Sequence, residues 1–130
     1  MNQYISRVTL MVKDYDEALT FYTEVLKFQI LEDTQRSPEK RWVIIAPPGD
    51  KQCALLLAKA KNEAQLAAVG NQTGGRVFMF LYTDDFERDV NHMEKHQVKF
   101  VTKPTEKEFG KVAVFEDLYG NKWDFIEPKS

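Results

Sequence analysis

Cysteine is nearly missing from this 130-residue chain, which holds one thiol, Cys53. An internal disulfide is therefore excluded, and a reducing, cytoplasmic setting is the expectation. Long apolar runs are missing too. No stretch approaches the roughly 20 residues that a membrane-spanning helix needs. The opening MNQYISRV lacks the long apolar core of a signal peptide, so no membrane partner is expected. An excess of charge of one sign is also lacking: 18 Lys and Arg stand against 20 Asp and Glu, a formal net charge of −2. That balance gives no electrostatic case for nucleic acid or an anionic bilayer. What remains is an ordinary globular mix, 43% apolar and 29% charged, at a length that suits a single domain over residues 1–130.

Histidine is scarce as well. His92 and His96 both fall in VNHMEKHQ, residues 90–97. Four apart on a helix, two imidazoles can grip one metal ion. On a wheel of about 100° per residue, however, Phe86, Val90, Met93 and Gln97 cluster toward a sheet, while both histidines lie roughly 90–130° to one side. The order HxExH also differs from the HExxH of zinc proteases. The pair reads as solvated side chains on an outer layer, away from any site.

The most informative feature present is an internal repeat. RVTLMVKDYDEALTFY from Arg7 aligns with FMFLYTDDFERDVNHM from Phe78, an offset of 71 that also brings Gly49 onto Gly120. Each half reads as β-α-β-β-β: a module over residues 1–58, a linker over 59–75, and a second module over 76–130. Residues 4–12 alternate, with Val8, Leu10 and Val12 on one face and Arg7, Thr9 and Met11 on the other. Asp14, with Glu17 three residues on, opens a helix as a capping box. Strands are predicted near 27–33, 40–46 and 51–58, then at 77–83, near 98–102, 111–116 and 121–127, with a helix at 85–96. PPGD and LYGN are the matching turns. KPTEKEFGK (103–111) reads as a polar loop. The linker's middle suits a short helix, and GNQTGG suits a flexible joint.

The run V-x-D-Y-D-E-A-L-x-F-Y-x-E-V-L after the first strand, with D-x-x-G-N-x-W-D-F-I-E at the end, resembles the vicinal oxygen chelate superfamily, over nearly the whole chain. That superfamily includes glyoxalase I, extradiol dioxygenases, bleomycin-type resistance proteins and methylmalonyl-CoA epimerase. The resemblance implies an α+β fold in which two tandem βαβββ modules form curved mixed sheets around a cavity. It implies a homodimer, and in metal-dependent members four inward side chains that hold a divalent ion. Carried over, those four positions fall on Arg7, on Cys53 (or Ala54 or Leu55 by a slip of one or two), on Phe78 and on Asp124. Asp124 is the one clear ligand of the family's type. Arg7 is a permanent cation and Phe78 has no donor atom. No metal ligand set and no cofactor are therefore predicted, and a divalent metal is disfavoured.

Alternation then sets the expected lining: Arg7, Thr9 and Met11; Cys53, Leu55 and Leu57; Phe78, Phe80 and Tyr82; Lys122, Asp124 and Ile126. An apolar, aromatic wall carrying a few charges suits a small-molecule ligand, with Arg7 as a forked donor to a polar or anionic group. Cys53 has no histidine placed to activate it and reads as a buried, inert thiol. Trp123 should pack beneath the second helix, while the face of Trp42 stays open. The favoured function is metal-free binding of a small, partly aromatic or polar organic molecule. The alternatives are a metal-dependent glyoxalase-like lyase or dioxygenase-related enzyme, and a structural or regulatory module.

Overall fold

The computed structural model describes residues 1–49 and 53–129. The chain divides into two compact units, Met1–Ala67 and Ala68–Ser130. In the first, β1 (Arg7–Val12) leads into α1 (Tyr15–Thr20), followed by β2 (Gln29–Ser37), β3 (Lys40–Ala46) and β4 (Ala54–Lys59). A short α2 (Glu63–Ala68) follows. The second unit repeats the plan with β5 (Val77–Tyr82), α3 (Phe86–Lys95), β6 (Phe100–Lys107), β7 (Gly110–Glu116) and β8 (Lys122–Pro128). The strand orders are β1-β4-β3-β2 and β5-β8-β7-β6. β1 runs parallel to β4 and β5 parallel to β8; the other pairs are antiparallel. These are two mixed four-stranded sheets with helices, the α+β plan of two βαβββ modules.

Asp14 caps α1 as its sequence suggests. Its carboxylate accepts a hydrogen bond from the Glu17 N–H at 2.9 Å, relieving one of the unpaired amides of the first turn. Past Thr20 the helix widens into a π turn over Phe21–Val25. There the Thr23 hydroxyl donates to the Leu19 carbonyl at 2.7 Å, and the Leu26 N–H reaches back to Phe21. The turn keeps the apolar stripe in use: Ala18, Leu19, Tyr22 and Leu26 are all buried. They meet a sheet face built from Leu10, Val12, Val43, Ile45, Leu55 and Leu57, all buried. Each such side chain contributes about 1.5–3 kcal/mol on burial.

The second unit buries its helix by the same rule. Asp85 caps α3 by accepting from the Arg88 N–H at 3.1 Å. Phe86, Val90 and Met93 are buried, and Phe86 stacks on Phe125 with centroids 5.5 Å apart. Glu127 accepts from the Phe86 N–H at 2.8 Å, fixing the helix start to β8. Trp123 is buried on this face, parallel to Phe115 at 6.2 Å. Gln97 does not join the stripe: it is exposed, and its φ of 55° turns the chain out of the helix.

One expectation about connections needs correction. Residues 103–107 are not loop: β6 runs to Lys107, and a tight turn leads into Gly110. β6 is an edge strand exposed along nearly its whole length, so no apolar alternation marks it. Pro104 is tolerated there because the register shifts between Thr102 and Thr105. The segment GNQTGG holds two hydrogen-bonded turns, Asn71 N–H to Ala68 carbonyl and Gly74 N–H to Asn71 carbonyl. Of the first hairpin turn, Gly49 has φ 99°; Asp50, and the expected strand start at Lys51 and Gln52, lie outside the described residues. Its counterpart is well defined. One Asp117 oxygen accepts from the N–H groups of Tyr119 and Asn121, and the other from the Asn121 side-chain amide, each at 2.9 Å. No helix among the described residues is long and apolar enough to cross a membrane.

Candidate functional site

Each sheet has one face given to its helix; the other face carries the site residues. In the second unit the register pairs Phe80 with Asp124 and Tyr82 with Ile126 across β5 and β8. It pairs Val114 with Asp124 and Val112 with Ile126 across β7 and β8. Paired residues point to the same side, with neighbouring strands about 4.8 Å apart. These pairings bring two aromatic rings, the Asp124 carboxylate and three aliphatic side chains onto one face. Val112 and Ile126 are buried, but Phe80 and Tyr82 on the outer strand are each 66% exposed. Exposure on that scale is not what a folding core requires of two aromatic rings.

Asp124 sits in the middle of this face, half-buried. Desolvation among its apolar neighbours raises its carboxyl above the ordinary aspartate range. Among the described residues of its own unit, none forms a hydrogen bond or ion pair with that carboxyl. Two other charged residues of the same face are engaged: Lys122 Nζ donates to the Gly75 carbonyl at 3.1 Å, and Glu116 faces Lys99 at 3.6 Å; Lys107, across from Gly110, lies at the far end of the face.

In the first unit Arg7, Thr9 and Met11 share a face of β1, as alternation requires. Their partners on β4 are Ala54, Leu56 and Ala58. Leu56 and Ala54 in turn join Ile44, Ala46 and Trp42 in one apolar cluster, which settles the face that Trp42 takes. Sequence reasoning missed Leu56 and offered Ala54 only as an alternative to Cys53. A signal existed: β4 has to present its two most buried leucines to the helix.

Four lining assignments change. Leu55, with Leu57, lies on the helix side, 3% exposed and paired with Val8, so it does not share the face of Thr9. Cys53 precedes β4 and is exposed, not buried. Phe78 falls at a register shift between Val77 and Met79. A bulge breaks the alternation that would have placed it beside Phe80, and its ring stands edge-on to Trp123 at 5.9 Å.

Of the positions that the resemblance aligns with a family metal site, Arg7, Phe78 and Asp124 stand as carried over; the second, Cys53 with Ala54 or Leu55 as slips, shifts to Leu56, which pairs with Thr9 as Asp124 pairs with Phe80. One carboxylate, a cation, an aliphatic side chain and a benzyl ring do not fit a divalent ion, which needs several anionic or imidazole donors. Among the described residues no group of three or more His, Cys, Asp or Glu side chains is gathered. The rings of His92 and His96 are tilted by 47° with centroids 4.5 Å apart at the end of α3, where His96 Nδ1 is 3.0 Å from the His92 carbonyl. They belong to the helix layer, not to this face.

Residues 4–125 match the family model described as the Glyoxalase/Bleomycin resistance protein/Dioxygenase superfamily. An uncharacterized protein of Shewanella frigidimarina is 53% identical over 128 residues, covering 98% of this chain and 95% of its own. Among solved structures, UcmS2 superposes with a TM-score of 0.83 at 28% identity, over 98% of this chain and 99% of its own. TnmS3, described as an antibiotic binding protein from Streptomyces sp. CB03234, superposes with a TM-score of 0.77 at 25% identity, over 98% of both chains.

Proposed function

The chain belongs to the glyoxalase/bleomycin resistance protein/dioxygenase superfamily, and from that premise we propose that it binds a small, partly aromatic organic molecule on the open face of its second sheet, without a catalytic metal. The observation that carries this reading is the pair Phe80 and Tyr82: two rings, two residues apart on one strand face, both mostly exposed, with Asp124 and Ile126 directly across from them. A planar ligand laid on such a surface gains apolar burial and ring stacking at little cost in ordering. The likeness to TnmS3, an antibiotic binding protein, supports the same class of ligand. On the first sheet, Arg7, Thr9 and Met11 are proposed separately as ligand contacts of that sheet's own face. A homodimer in a cytoplasmic setting is proposed as the working form.

The test is a screen of aromatic small molecules by thermal shift in the presence of EDTA, followed by titration of the hits. Phe80→Ala and Tyr82→Ala should each weaken binding by about tenfold, since stacking on one aromatic is worth about 0.5–1.5 kcal/mol beyond its area. Both variants should keep the native melting temperature to within a few degrees, because the rings removed are exposed. Unaltered affinity in both variants, or ligands that bind only when EDTA is left out and a divalent metal is added, defeats the reading. Stoichiometric nickel, zinc, iron or manganese in the purified protein would favour the metal-dependent lyase instead.

A further inference from the structure

We propose that the ligand of this face carries a positive charge, with Asp124 as the seat of an ammonium or similar organic cation and Phe80 and Tyr82 beside it. The inference rests on the reading that this face binds a ligand at all. Its ground is the charge inventory of the face. Phe80 lies directly across from Asp124, and Val114 directly across on the other side. The carboxylate is thus flanked by an aromatic ring and an aliphatic side chain, with Ile126 two residues along. Such neighbours offer it no hydrogen bond and strip away part of its water. The nearest cation in sequence, Lys122, is held by the Gly75 carbonyl at 3.1 Å, and Glu116 faces Lys99 at 3.6 Å.

A half-buried carboxylate in that setting gains most from a partner of opposite charge. A neutral hydroxyl or amide on the ligand would donate one hydrogen bond and leave the charge in place. An anionic ligand would meet repulsion at the centre of the face. The aromatic pair points the same way, because the electron-rich faces of Phe80 and Tyr82 attract a cation laid over them. Charge complementarity and ring geometry therefore select one chemistry: an amine-bearing or quaternary aromatic molecule.

Three probes of one shape separate the possibilities: tryptamine, 3-propylindole and indole-3-propionate, which are cationic, neutral and anionic near neutral pH. Titration of each into isotopically labelled protein, followed through the backbone amides of β5 and β8, gives relative affinities. Tryptamine should bind about tenfold more tightly than 3-propylindole, with indole-3-propionate weakest. In Asp124→Asn the tryptamine affinity should fall to within about twofold of the neutral probe, whose own affinity stays put. Equal binding of tryptamine and 3-propylindole to the unaltered protein overturns the cation proposal and leaves the aromatic face standing. So does a preference for tryptamine that survives Asp124→Asn. If none of the three probes moves the β5 and β8 resonances, or if Phe80→Ala and Tyr82→Ala both leave every affinity unchanged, the face itself is not a binding site and both readings fall.

Discussion

Two aspartates of this chain sit in opposite electrostatic settings, and their pH signatures should have opposite sign. Asp124 is raised by desolvation. A carboxyl whose folded pKa exceeds its unfolded value supports folding fully below the unfolded value and loses that support as pH rises through the folded one. Near neutral pH, ionised Asp124 therefore costs stability, and Asp124→Asn should gain up to about 1 kcal/mol there. The gain should shrink through about pH 4 and vanish in melts taken below about pH 3, where the aspartate is protonated in both states. A variant less stable than the parent at neutral pH would sink this account. Asp33 is lowered, chiefly by hydrogen bonds from Arg41, whose Nε and Nη2 each reach it at 2.8 Å. Its contribution is present above the unfolded pKa and is lost as pH falls through the folded one. Arg41→Gln should therefore cost about 1 kcal/mol near neutral pH, and the cost should shrink in acid. Equal loss at both pH values would show that the pair acts through packing alone. Much of this scale was legible beforehand: Arg7, Phe80, Tyr82 and Asp124 lie on the faces that alternation assigns. Leu55 and Cys53 were misplaced because the repeat offset of 71, which carries Tyr15 onto Phe86, shrinks to 68 by the last strands, where Ala54 stands to Lys122. The two hairpin turns differ in length, and a turn's length is not fixed by the strands it joins.

Elements were more legible than their exceptions. Both caps, Asp14 and Asp85, and the buried stripes behind them follow from spacing. The bulge at Phe78, the π turn at Phe21–Val25 and the extended β6 do not, because each depends on what the partner strand or hydroxyl does locally. Turns carry a similar asymmetry. Gly70 has φ 74°, and a Cβ there would meet the Tyr119 backbone carbonyl, which belongs to the turn that Asp117 ties together. Gly74 has φ 68°, but a Cβ there would meet nothing within 4 Å. Gly74→Ala should therefore cost about 1 kcal/mol, the strain of a left-handed residue. Gly70→Ala should cost several times more, at least about 3 kcal/mol, because backbone on both sides must move. Chemical denaturation of the two variants measures the contrast; comparable losses would mean that the 117–121 turn yields without resistance.

At the scale of the molecule, the strand edges are guarded unevenly. β6 carries Pro104 and alternating charges, and β2 carries Glu32, Asp33 and Arg36, devices that discourage a second chain from pairing there. β5, with the run VFMFLY, has no charge and no proline, yet it pairs within its sheet with β8 alone. β1, with RVTLMV, has one charge at its start and pairs within its sheet with β4 alone. Units of this size bury only about 60% of the surface their unfolded chains expose, so further apolar burial is worth having. The proposed homodimer meets that need. Sedimentation equilibrium at micromolar protein should return twice the 15.1 kDa chain mass. The melting temperature should also rise with protein concentration, since association stabilises only the folded state. A mass of one chain up to millimolar protein, with a melting point indifferent to concentration, would mean that β1 and β5 are satisfied without a second copy. The recognition of aromatic cations proposed for Phe80, Tyr82 and Asp124 would then have to be accomplished by the monomer.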